Sequence, residues 1–258
     1  MRSDHLGWRF DADRRDPQPQ VAAAVVMTTV LRPGLRTAIE SVYAQDLQGG
    51  IQLLIGIDQA LDPVEPLLEL LRKRPPQISA LVLDPGYSTS TRHGGLYPAH
   101  DGGALRTVLS FLANSRRVAY LDDDNRWLPN HLSSLARAIE GVDWAWSLRA
   151  FVDGETGAEL CEDIWDSLGP GKGLRAKSLG GFVDVNCMML DKLRAAAVLP
   201  DWVEPMPGQK HTADRRVFRR LCELPSAGTG LATVRYSIRP TFNLWPRIRK
   251  HLQERPAG

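Results

Sequence analysis

Between Val21 and Leu121 the chain alternates between short apolar runs and segments whose apolar residues recur at helical spacing, and that order permits few folds. Val21 to Thr29, Ile51 to Ile57 and Ile78 to Leu83 are near-continuous aliphatic stretches of strand length, the pattern of strands buried on both faces. Pro33 sits where a first helical turn can start, and Leu35, Ala38, Ile39 and Val42 fall on one face of a helix running to about Gln45. Leu67 to Lys73 gives a second helix, stopped by Pro75-Pro76. Strand, helix, strand, helix, strand argues for parallel pairing through crossover helices. The expectation is an α/β fold: a single domain with a mostly parallel central sheet flanked by helices.

The next strand carries the chemistry. Asp84 to Gly103, rich in Gly, Ser and Thr, reads as a long loop, and a helix over about Ala104 to Asn114 follows. The strand from Arg117 then ends in Leu121-Asp122-Asp123-Asp124-Asn125. Three adjacent carboxylates repel unless a cation or donor groups sit among them. Hard divalent ions take oxygen ligands and share them with substrate phosphates, so the tip reads as a metal-diphosphate site; the alternative is a solvated acidic turn. Open α/β sheets bind ligands beyond the carboxyl ends of their strands, and Asp58 ends a strand in the same way. These aspartates are therefore expected to share one site.

The second half is less regular. Pro129-Asn130 starts a helix with Leu132, Leu135, Ala136 and Ile139 inward, and Trp144 to Val152 reads as a strand. Gly169 to Gly173 with Gly180-Gly181 marks a flexible segment, a loop over the site or a plain surface loop. Phe182 to Leu190 is strand-like, Lys192 to Ala197 helical, and Asp214 to Leu224 a short helix. Asp184 and Asn186 alternate in the apolar stretch and would share a face, as contacts to sugar hydroxyls or as hydrogen-bonded core polars. The organisation expected is an irregular leader over residues 1–20, one domain over 21–232 with halves meeting near residue 128, and a basic tail over 233–258.

Composition narrows the function. A net charge of +2, with no basic stripe of interleaved aromatics, argues against nucleic acid. Three scattered cysteines without a Cys-x-x-Cys pair suggest neither a zinc knuckle nor a disulfide framework, but reduced thiols in a cytoplasmic protein. The first twenty residues lack the apolar core of a signal peptide, and the longest apolar run is too short to span a bilayer. Arg235 to Arg255, with Leu244, Trp245, Ile248 and Leu252 interspersed, is either a basic amphipathic tail touching the inner membrane face or a terminal helix packed on the domain.

Three motifs over roughly Val21 to Leu224 resemble the inverting family 2 glycosyltransferases of GT-A fold, a Rossmann-like architecture. They are Ser41-Val42-Tyr43-Ala44-Gln45, Leu121 to Asn125 followed by Trp127-Leu128-Pro129-Asn130-His131-Leu132, and Ala213-Asp214 continuing to Arg220-Leu221. The resemblance implies that Asp122 and Asp124 hold Mn²⁺ or Mg²⁺ against the diphosphate of a nucleotide-sugar donor, UDP-linked. It implies that Asp58 faces the base, that Thr29 lies beside the base or ribose, and that Asp214 is the general base toward an acceptor hydroxyl. Asp123, Arg106, Asp184 and Asn186 join the expected donor-binding set; Arg106 would reach the diphosphate, or else be a solvated helix arginine. His211, three residues before Asp214, completes the metal shell, assists the base, or is a surface histidine in a Gly/Pro-rich loop.

The chain departs from the family pattern at Thr28-Thr29-Val30, at Ile57-Asp58-Gln59-Ala60 and at Ala213, where the family has a Glu. Two other readings remain: a sugar-phosphate nucleotidyltransferase, for which Arg32 and Gly34 are the only matching residues near the first strand, and a non-catalytic nucleotide-sugar-binding protein.

Overall fold

The computed structural model describes residues 7–10, 19–100, 102–208 and 213–254. In chain order its elements are β1 (Gly7–Phe10), β2 (Ala23–Thr29), α1 (Leu35–Tyr43), β3 (Ile51–Ile57), α2 (Glu65–Arg72), β4 (Ile78–Leu83), α3 (Gly103–Leu112), β5 (Arg117–Tyr120) and β6 (Arg126–Trp127). There follow α4 (His131–Ala138), β7 (Trp144–Asp153), β8 (Glu159–Glu162), β9 (Gly169–Pro170), α5 (Ala176–Leu179), β10 (Gly181–Phe182), β11 (Met188–Asp191), α6 (Asp214–Leu221), β12 (Ser226–Ile238) and α7 (Trp245–Glu254).

One large sheet runs in the order β1-β4-β3-β2-β5-β11-β7-β12-β6. Its first half is the parallel block the sequence implies: β4, β3, β2 and β5 pair in parallel. β2 is buried along its whole length, and α1 buries Leu35, Ala38, Ile39 and Val42, the residues at helical spacing. In the second half β11 runs antiparallel between β5 and β7, and β12 returns parallel to β7.

Several expectations need correction. The leader is not irregular throughout: β1 pairs antiparallel with β4, and Trp8 and Phe10 pack against the core. An open β4 edge would leave a row of unpaired backbone groups, which β1 covers. The remaining leader residues 1–6 and 11–18 lie outside the described residues. The tail does not begin at residue 233, because β12 carries the sheet through Ile238 with Thr233 and Val234 buried. Beyond it α7 buries Ile248 in a small second core with Phe151, Cys161, Ile238 and Leu244. The apolar side of this helix thus faces the domain, and Arg247, Arg249 and Lys250 face water. Among the described residues no helix is long and apolar enough to cross a membrane.

The stretch Phe182 to Leu190 is not one strand. Asp184 accepts a hydrogen bond from the Asn186 N–H and caps a 3₁₀ turn over Val185–Cys187, and the strand resumes only at β11. A short polar side chain bonding its own backbone competes with the ladder in this way. The expected helix over Lys192 to Ala197 is instead a turn over residues 192–195, where Asp191 accepts the N–H groups of Leu193 and Arg194, followed by a 3₁₀ run over Ala196–Val203 that contains Pro200. The glycines at 169 and 181 build a ribbon, β9 paired with β10. Gly169 has φ +112°, and a Cβ there would lie 2.7 Å from the Trp146 indole, so this glycine is needed for packing.

Candidate functional site

β2 and β5 are parallel neighbours, so their carboxyl ends bring Thr29 beside the acidic run. The three aspartates then diverge. Asp122 forms an ion pair with Arg106 of α3, its Oδ2 accepts from Asn186 Nδ2 at 2.9 Å, and its backbone N–H donates to Asn186 Oδ1 at 2.6 Å. Asp123 turns inward: its carboxylate accepts from the Thr29 hydroxyl at 2.7 Å and lies 3.5 Å from Arg32. Asp124 is half-exposed, and Arg32 lies 3.5 Å from it. Burial, opposed by Thr29 and Arg32, raises the Asp123 carboxyl above its ordinary range. Burial, with the charges of Asp122 and Asp123, pushes Asp124 up to about 6. Asp124 is therefore the least compensated charge of the run.

The flanking segments hold this tip in place with neutral groups. Gln45 donates to the carbonyls of Ser41 and Leu128 and accepts the Leu132 N–H, and Ser41 Oγ accepts the Trp127 N–H. The Ser-Val-x-x-Gln resemblance thus has a mechanical meaning, since it ties α1 to the chain leaving the acidic run. α3 is equally fixed: Gly103 packs so tightly that a Cβ would lie 1.8 Å from the Trp202 carbonyl oxygen. That contact brings Arg106 over the Trp202 ring, 5.3 Å from its centroid, with its charge on Asp122. Arg106 is 4% exposed, so it is not the solvated helix arginine.

A cleft of about 280 Å³ collects the side chains expected to act together. Thr29, Asp58, Arg106, Asp122, Asp123, Asp124, Asp184 and Asp214 all line it. A wider groove of about 800 Å³ continues from it past Arg32, Asp124 and Tyr236 toward Arg92 and Arg239. Asp214 opens α6, where its Oδ1 accepts the Arg215 N–H at 2.8 Å, and it reaches the cleft from the half of the chain opposite the acidic run. Asp58 also anchors the long loop: it accepts the N–H of Thr89 at 2.6 Å and the hydroxyls of Thr89 and Ser88. Asp184 is held by Arg149 at 2.7 Å. Asn186 stands behind the wall and grips Asp122. His211 lies outside the described residues.

The Thr29 hydroxyl donates to the Asp123 carboxylate, and both side chains line the cleft. Arg32, His100 and Tyr236 line the cleft without having been picked out as site residues. Arg32 follows the first strand closely, which was the available signal; Tyr236 fell in a segment read as tail.

The residues suit a cation shared with a diphosphate better than one held by protein alone. Among the described residues no group of three or more His, Cys, Asp or Glu side chains is placed to hold a metal. A magnesium-like ion bound by one or two carboxylates plus substrate phosphates needs no such cage. Asp124, half-exposed and poorly neutralised, fits as the principal ligand, with Asp122 beside it already engaged by Arg106 and Asn186.

No protein-family model matches the chain, and no curated protein matches it in sequence. Solved structures match in shape. S. aureus TarS 1–349 superposes with a TM-score of 0.60 at 13% identity, covering 83% of this chain and 60% of that one. The same protein in complex with UDP gives 0.57 at 14% identity, covering 84% and 61%. In complex with UDP-GlcNAc it gives 0.58 at 12% identity, covering 89% and 64%. This chain thus spans about 60% of the length of TarS 1–349. With the parallel block, the acidic strand end and the second half packed across the cleft, the chain has the GT-A fold that its motifs resemble.

Proposed function

We propose that this protein is a glycosyltransferase that moves a sugar from a nucleoside-diphosphate donor to an acceptor hydroxyl with inversion. The observation that carries the reading is one cleft lined both by the acidic run, with its under-compensated Asp124, and by Asp214. As the sugar–phosphate bond breaks, the diphosphate gains negative charge. Mn²⁺ or Mg²⁺ bound at Asp124 and Asp122 would supply Lewis-acid stabilisation of that charge. Arg106 and Arg32 keep the neighbouring carboxylates from repelling the donor. Asp214 receives the proton of the acceptor hydroxyl as it attacks C1 from the face opposite the leaving group. UDP is the favoured nucleotide, because TarS, of the same fold, has been solved with UDP and with UDP-GlcNAc.

Thermal-shift and calorimetric titration with UDP and UDP-GlcNAc, with and without Mn²⁺, tests the donor site, since a ligand of the native state raises its melting temperature. Asp122→Asn with Asp124→Asn should remove the Mn²⁺-dependent part of that shift. Asp214→Asn should lower turnover by about 10²–10⁴-fold with UDP affinity retained. Normal turnover in that variant would exclude Asp214 as the base. Binding without transfer or hydrolysis of any sugar nucleotide would leave the non-catalytic reading in place.

A further inference from the structure

Arg149 lies in the middle of β7 with its side chain 2% exposed. A guanidinium at that depth needs its charge and its donors answered. Its Nε donates to Asp163 Oδ2 at 2.8 Å and its Nη1 to Asp184 Oδ2 at 2.7 Å. Its planar face stacks on Tyr236, 4.2 Å from the ring centroid. Burial opposes the charge of Arg149, but Asp184 and Asp163 outweigh it and keep the group protonated. Asp163 is fixed in turn by the backbone N–H groups of Trp165, Asp166 and Ser167.

Two of these partners, Asp184 and Tyr236, are walls of the cleft. The hydrogen bonds do not stop there. Asp184 Oδ1 accepts from Asn186 Nδ2 at 2.7 Å and from its N–H at 3.0 Å. Asn186 then both donates to the Asp122 carboxylate and accepts the Asp122 backbone N–H. A buried ion pair of this kind seldom adds net stability over apolar residues of the same volume. What a guanidinium adds is direction, because its rigid fork fixes two carboxylates at once.

We propose that Arg149 is a positioning residue of the transfer site: it fixes Asp184 and Tyr236 and, through Asp184 and Asn186, sets the orientation of the Asp122 carboxylate facing the donor. The kinetic consequence rests on the transferase reading; the structural consequence does not. The test uses Arg149→Lys, Asn186→Ala and the double variant in the full chain. Three quantities are read: hydrogen exchange of the Asp122 amide, UDP affinity in Mn²⁺, and turnover. Lysine keeps the buried charge but cannot span Asp163 and Asp184 as a fork. Arg149→Lys should therefore lose protection at Asp122, and Mn²⁺-dependent UDP affinity or turnover should fall by about 10–100-fold, the scale seen for groups that orient metal ligands. The same substitution should add little in the Asn186→Ala background, because both act through one chain of bonds.

A lower melting temperature alone, with Asp122 exchange and UDP affinity as in the parent, would overturn the proposal. So would effects of the two substitutions that add in full. If Arg149→Lys does not fold, Asp163→Asn loosens the fork from the side away from the cleft. It should act in the same direction, and an unchanged Asp122 amide there would also overturn the proposal. A parent protein that binds no UDP in Mn²⁺ would remove the transferase reading, and the exchange measurement would then decide this one by itself.

Discussion

The two halves of the sheet solve the problem of charge near a cleft in opposite ways. In the antiparallel half Asp163, Asp166 and Asp184 gather around Arg149, which lies 2.8, 3.8 and 2.7 Å from them. The chain supplies the cation itself, and Asp163, against the pull of burial, is held below the usual carboxylate range by Arg149 and three backbone N–H groups. In the parallel half Asp122, Asp123 and Asp124 gather around Arg106 and a half-exposed Arg32, and Asp124 is left high at about 6. One cluster is closed off in the interior by the chain's own Arg149 and Arg175, although burial still holds Asp184 above its ordinary range. The other is short of positive charge on the side that faces the cleft, which is where a metal–diphosphate complex would supply it. The difference separates architecture from chemistry more clearly than the count of acidic residues does.

Breaking the closed cluster should have the largest effect on folding. Arg149→Met would bury the carboxylates of Asp163 and Asp184 without their cation, a loss of about 3–5 kcal/mol. Urea unfolding monitored by tryptophan fluorescence would measure it. A loss no greater than that of an exposed arginine would mean that the cluster is no more closed than the open one.

A smaller effect is expected where the parallel half relies on neutral groups. Gln45→Ala would leave the Leu132 N–H without its partner, at a cost of about 1–3 kcal/mol, while the Leu128 carbonyl keeps the His131 N–H. Because that clamp holds the segment after the acidic run, Mn²⁺-dependent UDP binding should weaken as well. Unchanged binding with lowered stability would show that the acidic tip is placed by β5 alone.

The same contrast explains what the sequence made legible. The parallel half was readable because its strands are continuous apolar runs and its helices have one buried face; β3 and β4 carry the expected boundaries. Asp58, Asp122 and Asp124 could be named because strand ends are local features, whereas Asp214 was named only because its segment resembles a family motif. The antiparallel half was harder, since its order depends on contacts far apart in sequence. Arg149 meets Asp163, Asp184 and Tyr236 only after β7, the 3₁₀ turn and β12 have assembled. The one local clue was an arginine in an otherwise apolar strand, which has to find carboxylates. Asp184 and Asn186 were expected on one strand face; instead Asp184 caps a 3₁₀ turn and lines the cleft, and Asn186 stands behind it on Asp122.

The smallest effect concerns pH and bears on the open cluster directly. The Asp124 carboxyl is raised above its ordinary value of 3.8 to about 6. The native state therefore binds more protons than the unfolded chain between those values, and stability contributed at this site falls as pH rises through that window. The side chain is half-exposed, so solvent damps the effect. Asp124→Asn should flatten the profile and raise the melting temperature slightly at neutral pH without ligand. Mn²⁺ with UDP should do the opposite, stabilising the parent most above about pH 6, where the carboxylate is ionised, and stabilising the variant little. Melting temperatures across about pH 4–8 for both proteins test this. A variant with the parent's slope would show that Asp124 is already neutralised by Arg32, and the open cluster would then be as closed as its counterpart around Arg149.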